Sequence, residues 1–128
     1  MNVQDMLKIY VPYSGLDWMN YDIIDNKLSF HHIIKKCDGG KKKIENGAIL
    51  QSETSHPYLH LIEYIDINYY KELNKIFKII NNQRCEPTIE QRILIEEILK
   101  DFEDRYKWKK SQKGDLLIKT KYRKRSVI

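Results

Sequence analysis

The four histidines of this chain form two pairs, His31 with His32 and His56 with His60. Residues four positions apart on a helix project from one face about one turn apart, so the imidazoles of His56 and His60 can reach a single cation. Imidazole nitrogen is a common ligand for zinc, nickel and related divalent ions. The spacing therefore predicts a metal site whose third nitrogen comes from the first pair.

The adjacent pair is expected to supply one ligand rather than two. Successive side chains of a strand point to opposite faces, so His31 and His32 would both reach one ion only if the strand bent. The second imidazole would then remain free, and with a pKa near ~6.5 it can take a proton from water close to neutral pH. The pattern favours three histidine ligands and one free histidine.

Other interpretations of the four histidines stay open. A buried histidine is often a hydrogen-bonded core residue, and a closed site with four ligands would be purely structural. A metalloprotease is excluded, because that class requires Glu directly after the first helical histidine and Pro57 stands there.

The local sequence predicts elements in the order strand, glycine loop, strand, helix. Residues 28–34 are typical of a strand, Gly39 and Gly40 of a turn, and residues 47–50 of a return strand. Pro57 suits the first turn of the helix that follows, because its missing N–H would have no partner there. Residues 1–27 are expected to pack irregularly against the core.

Two further helices are predicted, over residues 66–83 and 88–113. Asp66 can cap the first, and Thr88 with Gln91 forms a capping box at the start of the second. The apolar face of the first helix consists of Leu73, Ile76, Phe77 and Ile80. The apolar stripe of the second consists of Leu94, Ile95, Ile98, Leu99, Phe102 and Tyr106.

The segment 28–63 resembles the HNH, or ββα-metal, nuclease motif in the form found in colicin-type DNases. The resemblance rests on the adjacent histidines, the glycine loop, an asparagine before the return strand and the HxxxH helix. It implies a ββα-metal core. Together with the chain length, the two predicted helices and a basic extension over residues 114–128, this predicts a single α+β domain over residues 1–128.

The resemblance also implies a role for each polar residue. His31, His56 and His60 would hold the metal, His32 would be the general base, and Asn46 would brace the loop that orients His32. Where colicin-type enzymes carry an acidic residue two positions before the histidine pair, this chain has Ser29. Glu63, three residues after His60, is in reach to orient that imidazole.

The implied activity is hydrolysis of DNA phosphodiester bonds, leaving 5′-phosphate ends. One divalent metal ion, Mg²⁺, Mn²⁺, Ni²⁺ or Zn²⁺, would stabilise the leaving 3′-oxygen. Two alternatives stay open. One is a non-catalytic nucleic-acid-binding protein with a structural metal site in the same fold, and the other is a subunit of a phage or defence complex.

The formal charge of +5 is unevenly distributed along the chain. Ten basic residues and one acid lie between Arg105 and Arg125, a net of +9, so the remaining residues sum to −4. Such a segment can neutralise phosphates, although a solubilising tail explains it equally well. The predicted nucleic-acid contacts are Arg105, Lys107, Lys109, Lys110, Lys113, Lys119, Lys121, Arg123, Lys124 and Arg125. Acidic residues also cluster in the last predicted helix, and four of the five avoid its apolar stripe as a solvated face would, so no role is assigned to the cluster: Glu96, Glu97, Asp101, Glu103 and Asp104.

Composition excludes several classes of protein. The sequence has no apolar run of ~18 residues and no signal peptide at its start, so we expect a cytoplasmic protein without a membrane partner. Cys37 and Cys85 cannot form a disulfide scaffold or a four-cysteine zinc site.

Overall fold

Two short strands and three helices form the α+β fold of this chain. The computed structural model describes residues 6, 10, 14–24, 27–106 and 125. The elements are β1 (Leu28–His32), β2 (Gly47–Gln51), α1 (Ser55–Ile65), α2 (Ile67–Gln83) and α3 (Ile89–Tyr106), with 3-10 turns at Lys36–Asp38 and Ile44–Asn46. The α+β class and the predicted order of strand, loop, strand and helix are confirmed.

The two strands form an antiparallel hairpin. Leu28 pairs with Gln51 at one end and His32 with Gly47 at the other. β1 ends two residues earlier than predicted, because both backbone hydrogen-bonding groups of Ile34 bond to the side chain of Asn46 instead of continuing the ladder. The hairpin therefore opens into its loop directly after the histidine pair.

The predicted helix starts are confirmed by their caps. The Asp66 carboxylate accepts a hydrogen bond from the backbone N–H of Asn68 at the start of α2. Thr88 and Gln91 exchange the two hydrogen bonds of a capping box before α3. Residues 107–113 of the second predicted helix, and all of the predicted extension except Arg125, lie outside the described residues. No helix in the described part is long and apolar enough to cross a membrane.

The core lies between the hairpin and the three helices. The whole predicted apolar face of α2 is buried. On α3, Ile95, Leu99 and Phe102 are buried, whereas Leu94 is 47% exposed, so its assignment to the stripe was wrong. The reason is Arg92, which occupies the inward-facing first turn of α3 and donates to the backbone carbonyl of Asp17.

Arg125 lies against α3 and corrects two further expectations. Its guanidinium donates to the carboxylates of Glu96 and Glu103, and its side chain is 3% exposed. Glu96 is therefore buried rather than part of a solvated face, and Glu103 has a partner. The charge of Arg125 is neutralised within the protein, in contrast to the exposed phosphate contact predicted from the sequence. A buried carboxylate requires such a partner.

The segment before β1 is held by the buried carboxylate of Asp17. Its Oδ1 accepts from the backbone N–H groups of Met19 and Tyr21, at 2.8 and 3.0 Å. Its Oδ2 accepts from the backbone N–H of Gln51, at 2.8 Å, and from the hydroxyl of Ser55. Asp17 thereby joins an irregular segment, as predicted for this region, to the end of β2 and the first residue of α1.

Replacing Asp17 with Asn tests this junction. The new amide group would present N–H donors to groups that are themselves donors, so we expect the free energy of unfolding to fall by about 3 kcal/mol. The control is Asp22→Asn, an exposed aspartate of the same segment, which should change stability by less than about 0.5 kcal/mol. Urea unfolding measures both. Equal stability of the two variants would show that Asp17 does not hold the junction.

Candidate metal centre

Three of the four histidines come together where β1 meets α1. The ring centroids of His56 and His60 are 5.0 Å apart, and that of His31 lies 5.5 and 5.8 Å from them. One nitrogen of each ring lies within 4.8 Å of the others. The structure therefore groups the helical pair predicted from its spacing with His31, the member of the adjacent pair that the resemblance implies, in a geometry that could hold one metal ion.

His31 is the buried member of this cluster. His31 is 1% exposed. Its ring packs edge-on against the rings of Tyr70 and Phe77 of α2, and the ring centroids are 6.0 Å apart in both pairs. His56 is half-buried and His60 is exposed. The cluster thus extends from the protein interior to the surface, so a ligand can approach it from the side of His60.

The second nitrogen of each ring has a hydrogen-bond acceptor. His31 Nε2 lies 2.8 Å from Asn74 Oδ1, which only accepts, so Nε2 carries the hydrogen. His60 Nδ1 lies 3.0 Å from a carboxylate oxygen of Glu63 and carries the hydrogen for the same reason. This leaves the lone pair on Nδ1 of His31 and on Nε2 of His60.

Ser29 completes this pattern at His56. Its hydroxyl donates to the backbone carbonyl of Leu50, at 3.0 Å, so its oxygen accepts from His56 Nδ1 at 2.8 Å. The lone pair of His56 is then on Nε2. Ser29 therefore contacts a histidine of the cluster directly.

Burial keeps the inner rings of the cluster neutral. It lowers the pKa of His31 to about 3, despite the hydrogen bond to Asn74. Burial, together with the charges of His60 and His32, lowers the pKa of His56 to about 4. Only a neutral imidazole can donate a lone pair to a metal, so both rings are in the binding form at neutral pH.

Glu63 connects the cluster to Lys35. Burial raises the pKa of the Glu63 carboxyl, but the hydrogen bonds from Lys35 and His60 outweigh it and hold that pKa below its ordinary value. One carboxylate oxygen contacts His60 and the other forms an ion pair with Lys35. Glu63 is thus ionised and can fix the orientation of the His60 ring, the role expected from its position three residues after His60.

His32 lies outside the cluster but opens onto the same cleft. This cleft has a volume of about 390 Å³, and its lining includes His31, His32, His56 and His60. The His32 ring packs edge-on against Phe30, with centroids 4.9 Å apart. Burial, then the charges of Lys42 and Lys36, lower the pKa of His32, so its ring is also neutral at neutral pH.

The loop after His32 is held by Asn46. The Asn46 side chain accepts from the backbone N–H of Ile34 at 2.7 Å and donates to the carbonyl groups of Ile34 and Lys41, at 2.9 and 3.0 Å. Gly40 allows this close packing, because a Cβ there would overlap the Ile34 carbonyl and lie 2.9 Å from Asn46 Nδ2. The Asn46 side chain, at the end of the loop before β2, therefore fixes the start of the loop after β1.

Sequence reasoning missed three residues around the cluster, Asn74, Tyr70 and Lys35. Tyr70 and Lys35 line the cleft, and Asn74 bonds to the innermost histidine. One signal was available for Asn74, since it lies next to Leu73 and four residues after Tyr70 on the predicted helix. Nothing in the local sequence indicates that α2 lies against β1.

The predicted nucleic-acid contacts are described at two positions only. Arg105 is exposed on α3, and its guanidinium lies 6.0 Å from the centre of the Tyr69 ring. Arg125 forms the ion pairs given above. The remaining eight residues lie outside the described part of the chain: Lys107, Lys109, Lys110, Lys113, Lys119, Lys121, Arg123 and Lys124.

Comparisons with protein-family models, with curated proteins and with solved structures found no match for this chain. Its function is therefore inferred from the residues and geometry of the site.

Replacing Glu63 with Gln tests the orientation of His60. Loss of the carboxylate weakens the hydrogen bond that fixes the ring and its tautomer, so affinity for Ni²⁺ or Zn²⁺ should fall about ten-fold, the lower end of such effects. The control is Glu72→Gln, an exposed glutamate of α2. Isothermal titration gives affinity and stoichiometry. Unchanged affinity in Glu63→Gln would show that this contact does not support metal binding.

Proposed function

We propose that this protein is a metal-dependent endonuclease of the HNH, ββα-metal type, which hydrolyses DNA phosphodiester bonds. One observation carries the proposal: His32, a histidine that is not part of the three-histidine cluster, opens onto the same cleft as that cluster. The order of strand, loop, strand and helix around this cleft is that of the resembling motif. A purely structural site would have no use for the free imidazole of His32.

The residues present fit one divalent ion. The ligands would be Nδ1 of His31 and Nε2 of His56 and His60, the nitrogens that retain a lone pair. All three ligands are uncharged imidazoles, which suit Zn²⁺ or Ni²⁺ better than they suit Mg²⁺ or Mn²⁺. A metal ion bound there would supply positive charge to the phosphate and to the departing 3′-oxygen.

His32 acts as the general base in this proposal. Its neutral ring takes a proton from a water molecule as the water oxygen attacks phosphorus, and the bond from phosphorus to the 3′-oxygen breaks. The products are a 5′-phosphate and a 3′-hydroxyl end. Burial and the positive charges of Lys42 and Lys36 lower the pKa of His32 and so favour its unprotonated form. Lys36 also lines the cleft, where it would meet the phosphate.

Asn46 is a positioning residue in the same scheme. It makes no contact with the cluster, but it closes the loop that follows His32 by three hydrogen bonds to backbone groups. Because Ile34 lies two residues after His32, this closure restricts the backbone that carries the base.

The proposal is tested by incubating supercoiled plasmid with the protein and Mn²⁺, Mg²⁺ or Ni²⁺. Replacing His32 with Ala removes the base, so the cleavage rate should fall by at least about 10²-fold while one metal ion per chain is still bound. The control is Cys37→Ala, a change in the same cleft that should leave cleavage at the wild-type rate.

Two results would contradict the proposed function. If His32→Ala cuts as fast as the wild-type protein, His32 is not the base. If the wild-type protein binds one metal ion per chain and cuts under no condition, the site belongs to a non-catalytic nucleic-acid-binding protein instead.

A further inference from the structure

A second cleft adjoins the metal cleft. It has a volume of about 550 Å³ and lies between α2 and the residues that follow β1. Lys35 and Tyr70 line both clefts, so the two are adjacent across these side chains. The Lys35 ammonium lies 5.7 Å from the centre of the Tyr70 ring. A chain-like ligand bound at the metal centre would cross these two side chains to reach the second cleft, which we call the α2 groove.

The α2 groove is positively charged. Four lysines line it, against two carboxylates, Asp38 and Glu63. Glu63 is already paired with Lys35 and His60. The groove then retains one carboxylate without a partner among the described residues, that of Asp38, against three lysines, Lys71, Lys75 and Lys78. This balance favours a polyanion over a neutral or cationic ligand.

Two of these lysines are available for a ligand. Lys71 and Lys75 are exposed, and neither forms an ion pair with another residue in the described part of the chain. Lys78 donates to the backbone carbonyl of Glu45, at 2.7 Å, and keeps its charge. The three lie at positions i, i+4 and i+7 of α2, so they span about 10 Å of one helix face.

The walls of the groove suit a nucleic acid strand. Besides the lysines it is lined by Ile33, Ile34, Ile67 and Tyr70. Apolar surface between cations can contact the sugars of a strand while the cations meet its phosphates. The phosphates of one strand of a duplex follow each other every 3.4 Å along the axis, so three lysines over about 10 Å can neutralise successive phosphates.

We propose that the α2 groove binds the DNA strand as it leaves the metal centre, with Lys71 and Lys75 as phosphate contacts. This inference rests on the proposed function for the identity of the ligand. It gives the protein a nucleic-acid surface next to the cleft and independent of the basic segment at the end of the chain.

Lys75→Gln and Lys100→Gln form a matched pair for the test. Both residues are exposed lysines in the middle of a helix, and each change removes one positive charge. The double variant Lys71→Gln/Lys75→Gln removes both proposed contacts. Binding of a fluorescein-labelled DNA duplex is followed by fluorescence anisotropy in EDTA, between about 50 and 200 mM salt.

The salt dependence identifies a phosphate contact. The slope of log K against log salt should become shallower by about 1 for Lys75→Gln and by about 2 for the double variant, and it should stay unchanged for Lys100→Gln. At ~50 mM salt, each lost contact should weaken binding about ten-fold. An unchanged slope in the double variant would overturn the inference. An equal change of slope in Lys100→Gln would also overturn it, because the slope would then depend on the net charge of the protein and not on a contact in the groove.

Failure of this inference is distinguishable from failure of the proposed function. Binding is measured without a metal, so it does not depend on cleavage. If the wild-type protein cuts the plasmid but the lysine variants show unchanged salt slopes, the proposed nuclease function stands and the α2 groove is not the DNA site. If binding of polyglutamate depends on Lys71 and Lys75 while binding of DNA does not, the groove takes an acidic peptide and the inference is wrong.

Discussion

The buried carboxylate of Asp17 is the interaction on which the arrangement of the site depends. It accepts hydrogen bonds from its own segment, from the end of β2 at Gln51 and from the first residue of α1, Ser55. His56 is the next residue along the chain, so the direction of α1 relative to the hairpin is set one residue before the first helical ligand. A carboxylate satisfied by four donors can remain in a core where an unpaired charge would be costly.

The three imidazoles of the cluster have different hydrogen-bond acceptors, yet each acceptor fixes the position of the ring hydrogen in the same way. His31 donates to an amide oxygen of α2, His56 to a hydroxyl that is itself donating to β2, and His60 to a carboxylate. Each acceptor holds the ring hydrogen on the nitrogen that it contacts, so the other nitrogen of the ring keeps its lone pair for a metal ion. The three partners come from three different elements, so formation of the cluster requires the hairpin, α1 and α2 to be assembled.

Local sequence predicted those features that depend on short-range geometry. The hairpin follows from its strand and glycine signals, the pairing of His56 with His60 from helical spacing, and the start of α3 from the Thr88 capping box, because each involves residues within a few positions of one another. The end of β1, the exposure of Leu94 and the burial of Glu96 could not be predicted in this way. The end of β1 and the burial of Glu96 depend on residues distant in the sequence, Asn46 and Arg125. The exposure of Leu94 follows from the contact of Arg92 with the distant Asp17.

The sequence by itself determined the α+β order of elements and the four histidines with their spacing, since strand alternation and helical periodicity are local properties of the chain. Only the tertiary structure decided which nitrogen of each ring is free and that Lys35 lines both the metal cleft and the α2 groove. Packing of α2 against β1 and α1 decides these points. That packing depends on burial of apolar faces between elements distant in the sequence, which no local pattern encodes.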